Sequence, residues 1–209
     1  MIKTLYPIFQ KWSEKGSVWI ISDTHFEDDD CLFMDPNWLT PEEHIKKLSL
    51  YIGKNDTVIH LGDVGNPEWM KKIKGYKVLI MGNHDQSSEK FKDYFNEIYS
   101  GPLMIAEKII LSHEPVTLCA GITGQPIAFN IHGHDHSGEY YNDDYHINCA
   151  SNIVNYYPTN LYSIIKSGLI SNKNIKSLHR QIIDKAGSKH IDNEIQESLD
   201  ALKEILEQS

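Results

Sequence analysis

Eight side chains at or just beyond the ends of apolar runs are of the types that hold a transition metal or act beside one: Asp23, His25, Asp63, Asn83, His84, His113, His134 and His136. The densest group is the stretch 131–138, IHGHDHSG, where His132, His134 and His136 stand at every second position. Residues i and i+2 of an extended backbone share a face. His134 and His136 can therefore present two imidazoles side by side at a strand end, with Gly133 and Gly138 giving the backbone room to turn. Imidazole is the commonest metal ligand among side chains. The set mixes carboxylate, amide and imidazole and contains no thiolate, which suits Mn²⁺, Fe or a catalytic Zn²⁺ better than a structural zinc. There are too many donors for one ion and enough for two. Two cooperating ions sit about 3.5–4 Å apart, and a shared ligand would hold them there; Asp63 is the natural bridging carboxylate.

Such donors converge only if the chain delivers them to one edge. Val18 to Ser22 (VWIIS) is a short apolar run, rich in β-formers, that reads as a buried strand and empties into Asp23-Thr24-His25. Thr57 to Leu61 is a second strand, ending in Gly62-Asp63-Val64-Gly65-Asn66, and Lys77 to Met81 a third, ending in Gly82-Asn83-His84-Asp85. The carboxyl ends of strands are where open α/β sheets bind ligands. Thr40-Pro41-Glu42-Glu43 predicts a helix start with a capping box, running to about Ile52 and stopped by Gly53. A short helix follows from Pro67 and another lies around Glu89 to Phe95. The period then changes: Leu103 to Ala106, Lys108 to Ser112 and Ile127 to Ile131 read as strands of a second sheet that need not be parallel. The second of these ends in His113-Glu114-Pro115 and the third runs into the histidine stretch. Tyr145 to Cys149 is a final strand, and Thr159 caps a helix to Lys166. At the N-terminus, Ile2, Leu5, Phe9 and Trp12 lie at helical spacing and predict a short amphipathic helix, against which Pro7 argues. From about Ile170 the chain turns to Lys, Glu, Gln and Ile/Leu at helical spacing, a helical hairpin packed on the core or a self-association surface built on Ile195, Leu199, Leu202 and Leu206.

The chain has 209 residues, 40% of them hydrophobic, enough for one domain with a real core plus an appendage. A net charge of −9 argues against long duplex nucleic acid as a partner. It leaves a phosphorylated substrate open, because bound cations invert the field locally. Cys31, Cys119 and Cys149 are far apart and lack metal-finger spacing, so a reducing, cytoplasmic location is expected. No apolar run is long enough for a signal peptide or a bilayer span, so no membrane partner is expected.

Asp23-Thr24-His25, Gly62-Asp63, Gly82-Asn83-His84-Asp85, His113 and Gly133-His134-Asp135-His136, in that order, resemble the motif series of the calcineurin-like metallophosphoesterases. The resemblance implies an α/β fold, two mixed β-sheets packed as a sandwich flanked by helices (a four-layer αββα arrangement), over residues 1–169, with 170–209 a C-terminal helical extension. It implies that Asp23, His25 and His136 hold one divalent transition metal ion, that Asn83, His113 and His134 hold the other, and that Asp63 bridges them. Mn²⁺ is the first choice, with Fe, Zn or Ni as alternatives. His84 is then not a ligand but the catalytic residue. A hydroxide shared by the ions attacks phosphorus in line, and protonated His84 stabilises the developing charge or protonates the leaving oxygen. The chain departs from the protein-phosphatase branch: Asn66 stands where an aspartate pairs with the catalytic histidine, the arginine of that branch is absent, and Asp85 replaces a glutamate. Up to Asn155-Tyr156-Tyr157-Pro158 it is similar to compact bacterial and phage phosphoesterases, although Asp135 stands where that branch commonly has threonine.

The remaining polar residues receive plainer assignments. His132 is a packing residue, His60 and His146 belong to core or surface, and His44, His179 and His190 are solvated on or beside helices. Glu27 opens a solvated acidic loop. Glu114 orients His113 or pairs at the surface. The pairs Tyr140-Tyr141 and Tyr156-Tyr157 fill the sandwich edge in preference to lining a base-stacking cleft. The expected activity is hydrolysis of a small phosphorylated substrate, a diester or nucleotide in preference to a phosphoprotein, with loops Phe26 to Asn37 and Ala120 to Pro126 selecting it. A phosphomonoesterase is the alternative within the family. A non-catalytic metal-bearing scaffold is the alternative outside the enzymes. The C-terminal helices are the expected site of any homo-oligomer.

Overall fold

The computed structural model describes residues 16–106, 109–120, 128–140 and 145–166, together with 3–4, 12, 125–126 and 143. The strands in chain order are β1 (Lys3–Thr4), β2 (Val18–Ile21), β3 (Thr57–His60), β4 (Tyr76–Ile80), β5 (Glu97–Tyr99), β6 (Leu103–Ala106), β7 (Ile109–Leu111), β8 (Cys119–Ala120), β9 (Gln125–Pro126), β10 (Phe129–His132), β11 (His146–Asn148) and β12 (Thr159–Asn160). One sheet has the order β12-β2-β3-β4-β5, parallel except for β12. The other runs β1-β6-β7-β10-β11, with β6 antiparallel to β7 and the other pairs parallel. β8 and β9 make a small antiparallel ribbon. Helices α1 (Cys31–Met34), α2 (Pro41–Ser49) and α3 (Leu161–Lys166) complete the framework, with 3-10 turns at Pro67–Lys72 and Ser88–Phe91.

Strand alternation explains the two cores. Val18, Ile20, Ile59, Leu61, Val78 and Ile80 face Leu103, Ile109, Leu111, Phe129, Ile131 and Ile147 of the other sheet. The intervening residues Ile21, Val58 and Leu79 point the other way, onto Ile45, Leu48, Met70, Phe91 and Phe95. Both faces of the parallel sheet are therefore covered, and its strands read as unbroken apolar runs. The molecule is an α/β sandwich of two mixed sheets with helices, as expected. The outer helical layer expected on the second sheet is not represented among the described residues, and the extension 170–209 lies outside them. The capping box at α2 forms as predicted: Thr40 Oγ1 accepts from Glu43 N–H and the Glu43 carboxylate accepts from Thr40 N–H at 3.0 Å.

Three local expectations are corrected. Lys3–Thr4 is a strand, not helix: pairing with Leu103–Met104 satisfies the free edge of β6, while Ile2, Leu5 and Phe9 lie outside the described residues. Trp12 is buried, and its indole N–H donates to Glu97. The helix expected around Glu89 to Phe95 is only the 3-10 turn Ser88–Phe91, followed by β5, a half-buried edge strand too short to show an alternation. Thr159 lies in β12, and Asn160 instead accepts from Ser163 N–H at the start of α3.

Candidate metal centre

β2, β3 and β4 end in Asp23/His25, Asp63 and Asn83/His84; β7 and β10 of the facing sheet end in His113 and His134/His136. Four of these residues adopt positive φ: Asp23 (51°), His25 (39°), Asp63 (56°) and His134 (68°). Non-glycine residues seldom do so, and each such residue costs about 1–3 kcal/mol. The strain is held by bonds between loops: Asp23 N–H to Gly62 O (2.9 Å), His25 N–H to Asp63 O (3.0 Å) and Phe26 N–H to Val64 O (3.0 Å). Glycine is required beside both carboxylates, since a Cβ at Gly82 would overlap the Asp63 side chain and one at Gly133 that of Asp23.

All seven residues named as ligands come together. Asp23, His25 and His136 offer donor atoms within 4.8 Å of one another, and so do Asp63, His113 and His134. His136 Nε2 lies 3.5 Å from Asp23 Oδ1. His113 Nε2 lies 2.7 Å from Asn83 Oδ1 and 3.1 Å from His134 Nδ1, and His134 Nδ1 lies 3.1 Å from the same asparagine oxygen. Asp63 Oδ2 stands between the groups, 3.7 Å from His25 Nε2 and 3.3 Å from His113 Nε2. Burial alone would raise the Asp63 pKa, but the hydrogen bond and charge of His113, with the His84 N–H, bring it down to about 2. Burial would likewise lower that of His113, and the carboxylates of Asp63 and Asp23 raise it instead.

The outward nitrogens show which lone pairs face inward. His25 Nδ1 is 3.0 Å from Asp28 Oδ2, His113 Nδ1 donates to Leu61 O (2.9 Å), and His136 Nδ1 is 3.1 Å from Asn152 Oδ1. Each Nδ1 therefore carries a proton, and each Nε2 is the nitrogen turned into the cluster, as in metal-binding histidines. His25 Nε2 is buried and has no hydrogen-bond partner among the described residues. Converging lone pairs and an orphaned buried nitrogen are the donor set a divalent cation fits. A third group, His25, Asp28 and Cys31, also has close donor atoms. Burial pushes the Cys31 thiol up to about 12, and its Sγ lies 3.7 Å from the His25 carbonyl oxygen.

His84 is exposed at the mouth of the cluster, its ring edge-on to His25 (centroids 5.5 Å, 77°) and its N–H donating to Asp63 Oδ1 at 2.9 Å. An open cleft of about 370 Å³ on this side is lined by His25, Glu27, Asn66, His84 and Lys90, among others. A second, of about 540 Å³, is lined by Met34, Pro115, His134, Asp135, His136 and Ser137.

Several plainer assignments change. His44, expected in solvent, is buried between Phe26 and Tyr156, and burial holds its pKa down to about 3. His60, expected in core or surface, takes the core place and ties two motif loops together. Its Nδ1 accepts from Gly62 N–H (3.1 Å), so Nε2–H donates to Thr24 Oγ1 (2.9 Å), whose hydroxyl donates to Val64 O (2.9 Å). His113 is oriented by the Leu61 carbonyl, the role considered for Glu114, which is exposed. Glu27 is exposed as expected but is tied to Asn66 and to Trp69 Nε1. His132 is packed in the interior as expected, and His146 is buried against Asp143. Tyr140 and Tyr156 are buried fillers. Sequence reasoning missed Asp28 and Asn152, and it noted Asp85 only as a departure. The buried Asp85 carboxylate accepts from Asp63 N–H (2.8 Å), Gly82 N–H (2.9 Å) and Val64 N–H (3.1 Å).

Carboxylate, imidazole and amide donors gathered at the edge of a two-sheet α/β sandwich make a candidate metal centre of the strand-end type. Residues 17–152 match the calcineurin-like phosphoesterase superfamily domain, and the chain belongs to that family of metal-dependent phosphoester hydrolases. It is 28% identical over 170 residues to an uncharacterised protein of Methanocaldococcus jannaschii, covering 71% of this chain and 89% of that one. The crystal structure of a protein of unknown function from Aquifex aeolicus superposes with a TM-score of 0.55 at 26% identity, over 72% of this chain and 98% of that one. A nuclease from Pseudomonas putida is more distant, with a TM-score of 0.39 at 19% identity over 58% and 62% of the two chains. No helix among the described residues is long and apolar enough to cross a membrane.

Proposed function

We propose that the chain is a two-metal phosphoesterase for small phosphorylated substrates, diesters or nucleotides first. The observation that carries this is Asp63 Oδ2 standing 3.7 Å and 3.3 Å from one imidazole of each donor group. Asp23, His25 and His136 would hold one divalent transition metal ion and Asn83, His113 and His134 the other, with Asp63 shared and Mn²⁺ the first choice. When bound, such a pair supplies positive charge to the phosphoryl oxygens and acidifies a water to a pKa near 7. The chain's own contribution is alignment and proton supply. Asp63 stays ionised above a pKa of about 2, so the shared position is anionic at any working pH. His84 takes no part in the donor clusters, and its exposed imidazole can hand a proton to a leaving oxygen in the cleft beside it. The two open clefts flanking the donors leave room for an ester arm on either side, which favours diesters. The three free cysteines suit a reducing, cytoplasmic setting.

Hydrolysis of bis(4-nitrophenyl) phosphate with added Mn²⁺, by wild type and Asp63→Asn, tests the reading. Wild type should turn over and the variant should fall to background. Full turnover by the variant would refute the shared role. Faster release from 4-nitrophenyl phosphate than from the diester would assign a monoesterase, and silence of wild type toward a panel of esters would favour a scaffold.

A further inference from the structure

Trp38 lies in the link between α1 and α2, its N–H donating to Asp35 O at 3.0 Å and the Thr40 capping box following two residues on. Its half-buried indole meets three rings: His25 (centroids 5.8 Å, 81°), His136 (5.5 Å, 65°) and Tyr156 (5.6 Å, 90°). Tyr156 is fixed in turn by His44 (5.1 Å, 81°) and lies beneath the Lys47 ammonium. These are the edge-to-face contacts aromatic rings prefer.

His25 and His136 are each tethered at Nδ1 by one hydrogen bond, to Asp28 and Asn152. One bond sets the tautomer but leaves the ring free to swing about it. Packing must supply the second constraint. The two imidazoles face each other at 5.2 Å, and His84 closes one further side of His25 at 5.5 Å. Among the described residues, Trp38 is the aromatic side chain that touches both. We propose that Trp38 is the positioning wall of the cation site formed by Asp23, His25 and His136, holding two Nε2 lone pairs convergent and acting through those rings, not on substrate. The proposal rests on the two-metal reading. It adds that this site owes its affinity to an indole outside the motif series, and that the indole senses the cation. The other tryptophans are placed elsewhere: Trp12 in the inter-sheet core, Trp19 against Tyr51 and Trp69 against Phe26.

Titration of metal-free full-length protein with Co²⁺ tests this, with visible absorption reporting coordination and tryptophan emission reporting proximity. Two ions should bind in wild type, and emission should be quenched as one of them does. Trp38→Phe keeps a ring in place and should bind both ions with the quench gone. Trp38→Ala should weaken one of the two ions about 10–100-fold, the usual cost of losing support behind a ligand, and leave the other unchanged. Wild-type binding of both ions by Trp38→Ala, or an undiminished quench in Trp38→Phe, would overturn the role of Trp38 while the metal centre stood. No Co²⁺ binding by wild type would bring down the two-metal reading and this proposal together. Should Trp38→Ala lose its near-ultraviolet dichroism, the quench in Trp38→Phe decides.

Discussion

Replacing Asp85 by asparagine should damage the bridging position without touching any ligand. The Asp85 carboxylate spans two motif loops: Oδ2 takes the N–H groups of Asp63 and Gly82, and Oδ1 takes that of Val64. An amide can keep its oxygen where Oδ2 lies, but its NH₂ then opposes the Val64 N–H, donor against donor. A hydrogen bond to a charged group contributes about 1.5–3 kcal/mol, and leaving a buried donor unsatisfied costs about 1–3 kcal/mol more. The two surviving bonds also lose their charge assistance. The total is about 3–6 kcal/mol, a large share of a typical domain stability of about 5–15 kcal/mol. At roughly 2–4 °C per kcal/mol for a chain of this size, Tm should fall by about 6–24 °C. Asp63 is held at a positive φ of 56°. Relaxation of that residue should move its carboxylate, and a displacement of about 1 Å costs on the order of 10²-fold in rate. Thermal melts, and hydrolysis of bis(4-nitrophenyl) phosphate well below the variant's Tm, measure the two effects separately. A variant with unchanged Tm and rate would refute the reasoning. Lost stability with full activity would reduce Asp85 to a fold-holding residue.

Two further predictions concern histidines. His84→Ala should keep wild-type metal content by elemental analysis while losing about 10²–10⁴-fold in rate, the usual contribution of a general acid; collapse of metal content would make His84 a ligand. Burial disfavours the charged forms of His44 and His60 and holds both pKa values down to about 3, from the ordinary 6.5 of an imidazole. A histidine with a depressed folded pKa contributes stability that is complete above its unfolded pKa and is lost as pH falls toward the folded one. Each should remove about 1.4 kcal/mol per pH unit below pH 6.5, or about 2 kcal/mol at pH 5. Urea midpoints at pH 7 and pH 5 should show this loss, and His44→Met should show a shallower one; equal slopes would mean His44 is not buried neutral.

The donor residues were legible because a strand writes its end in the sequence: VWII, TVIH and YKVLI are apolar on both faces, and the polar residues after them can only lie at the sheet edge. The start of α2 was legible through its capping box for the same local reason. Most of what was not legible joins distant segments, the exception being Asp28, three positions from His25. Asn152 reaches His136 across 16 positions and Asp85 reaches Asp63 across 22, with no periodicity to announce either contact. The burial of His44, expected in solvent, did leave a signal, since His44 shares a helix face with Ile45 and Leu48. Residue type outweighed position in the sequence reading, and position prevails in the fold. Trp38 left none, because it lies in an irregular link where neither period operates. The distinction bears on mechanism. A motif can name His25, His113, His134 and His136, but only the tethers at Asp28, Leu61 and Asn152 determine that the first, second and fourth turn Nε2 inward, while His134 presents Nδ1. The choice of nitrogen decides whether a lone pair or a proton faces the cation. Exchanging one tether should therefore change metal affinity in a site whose motif residues are all intact.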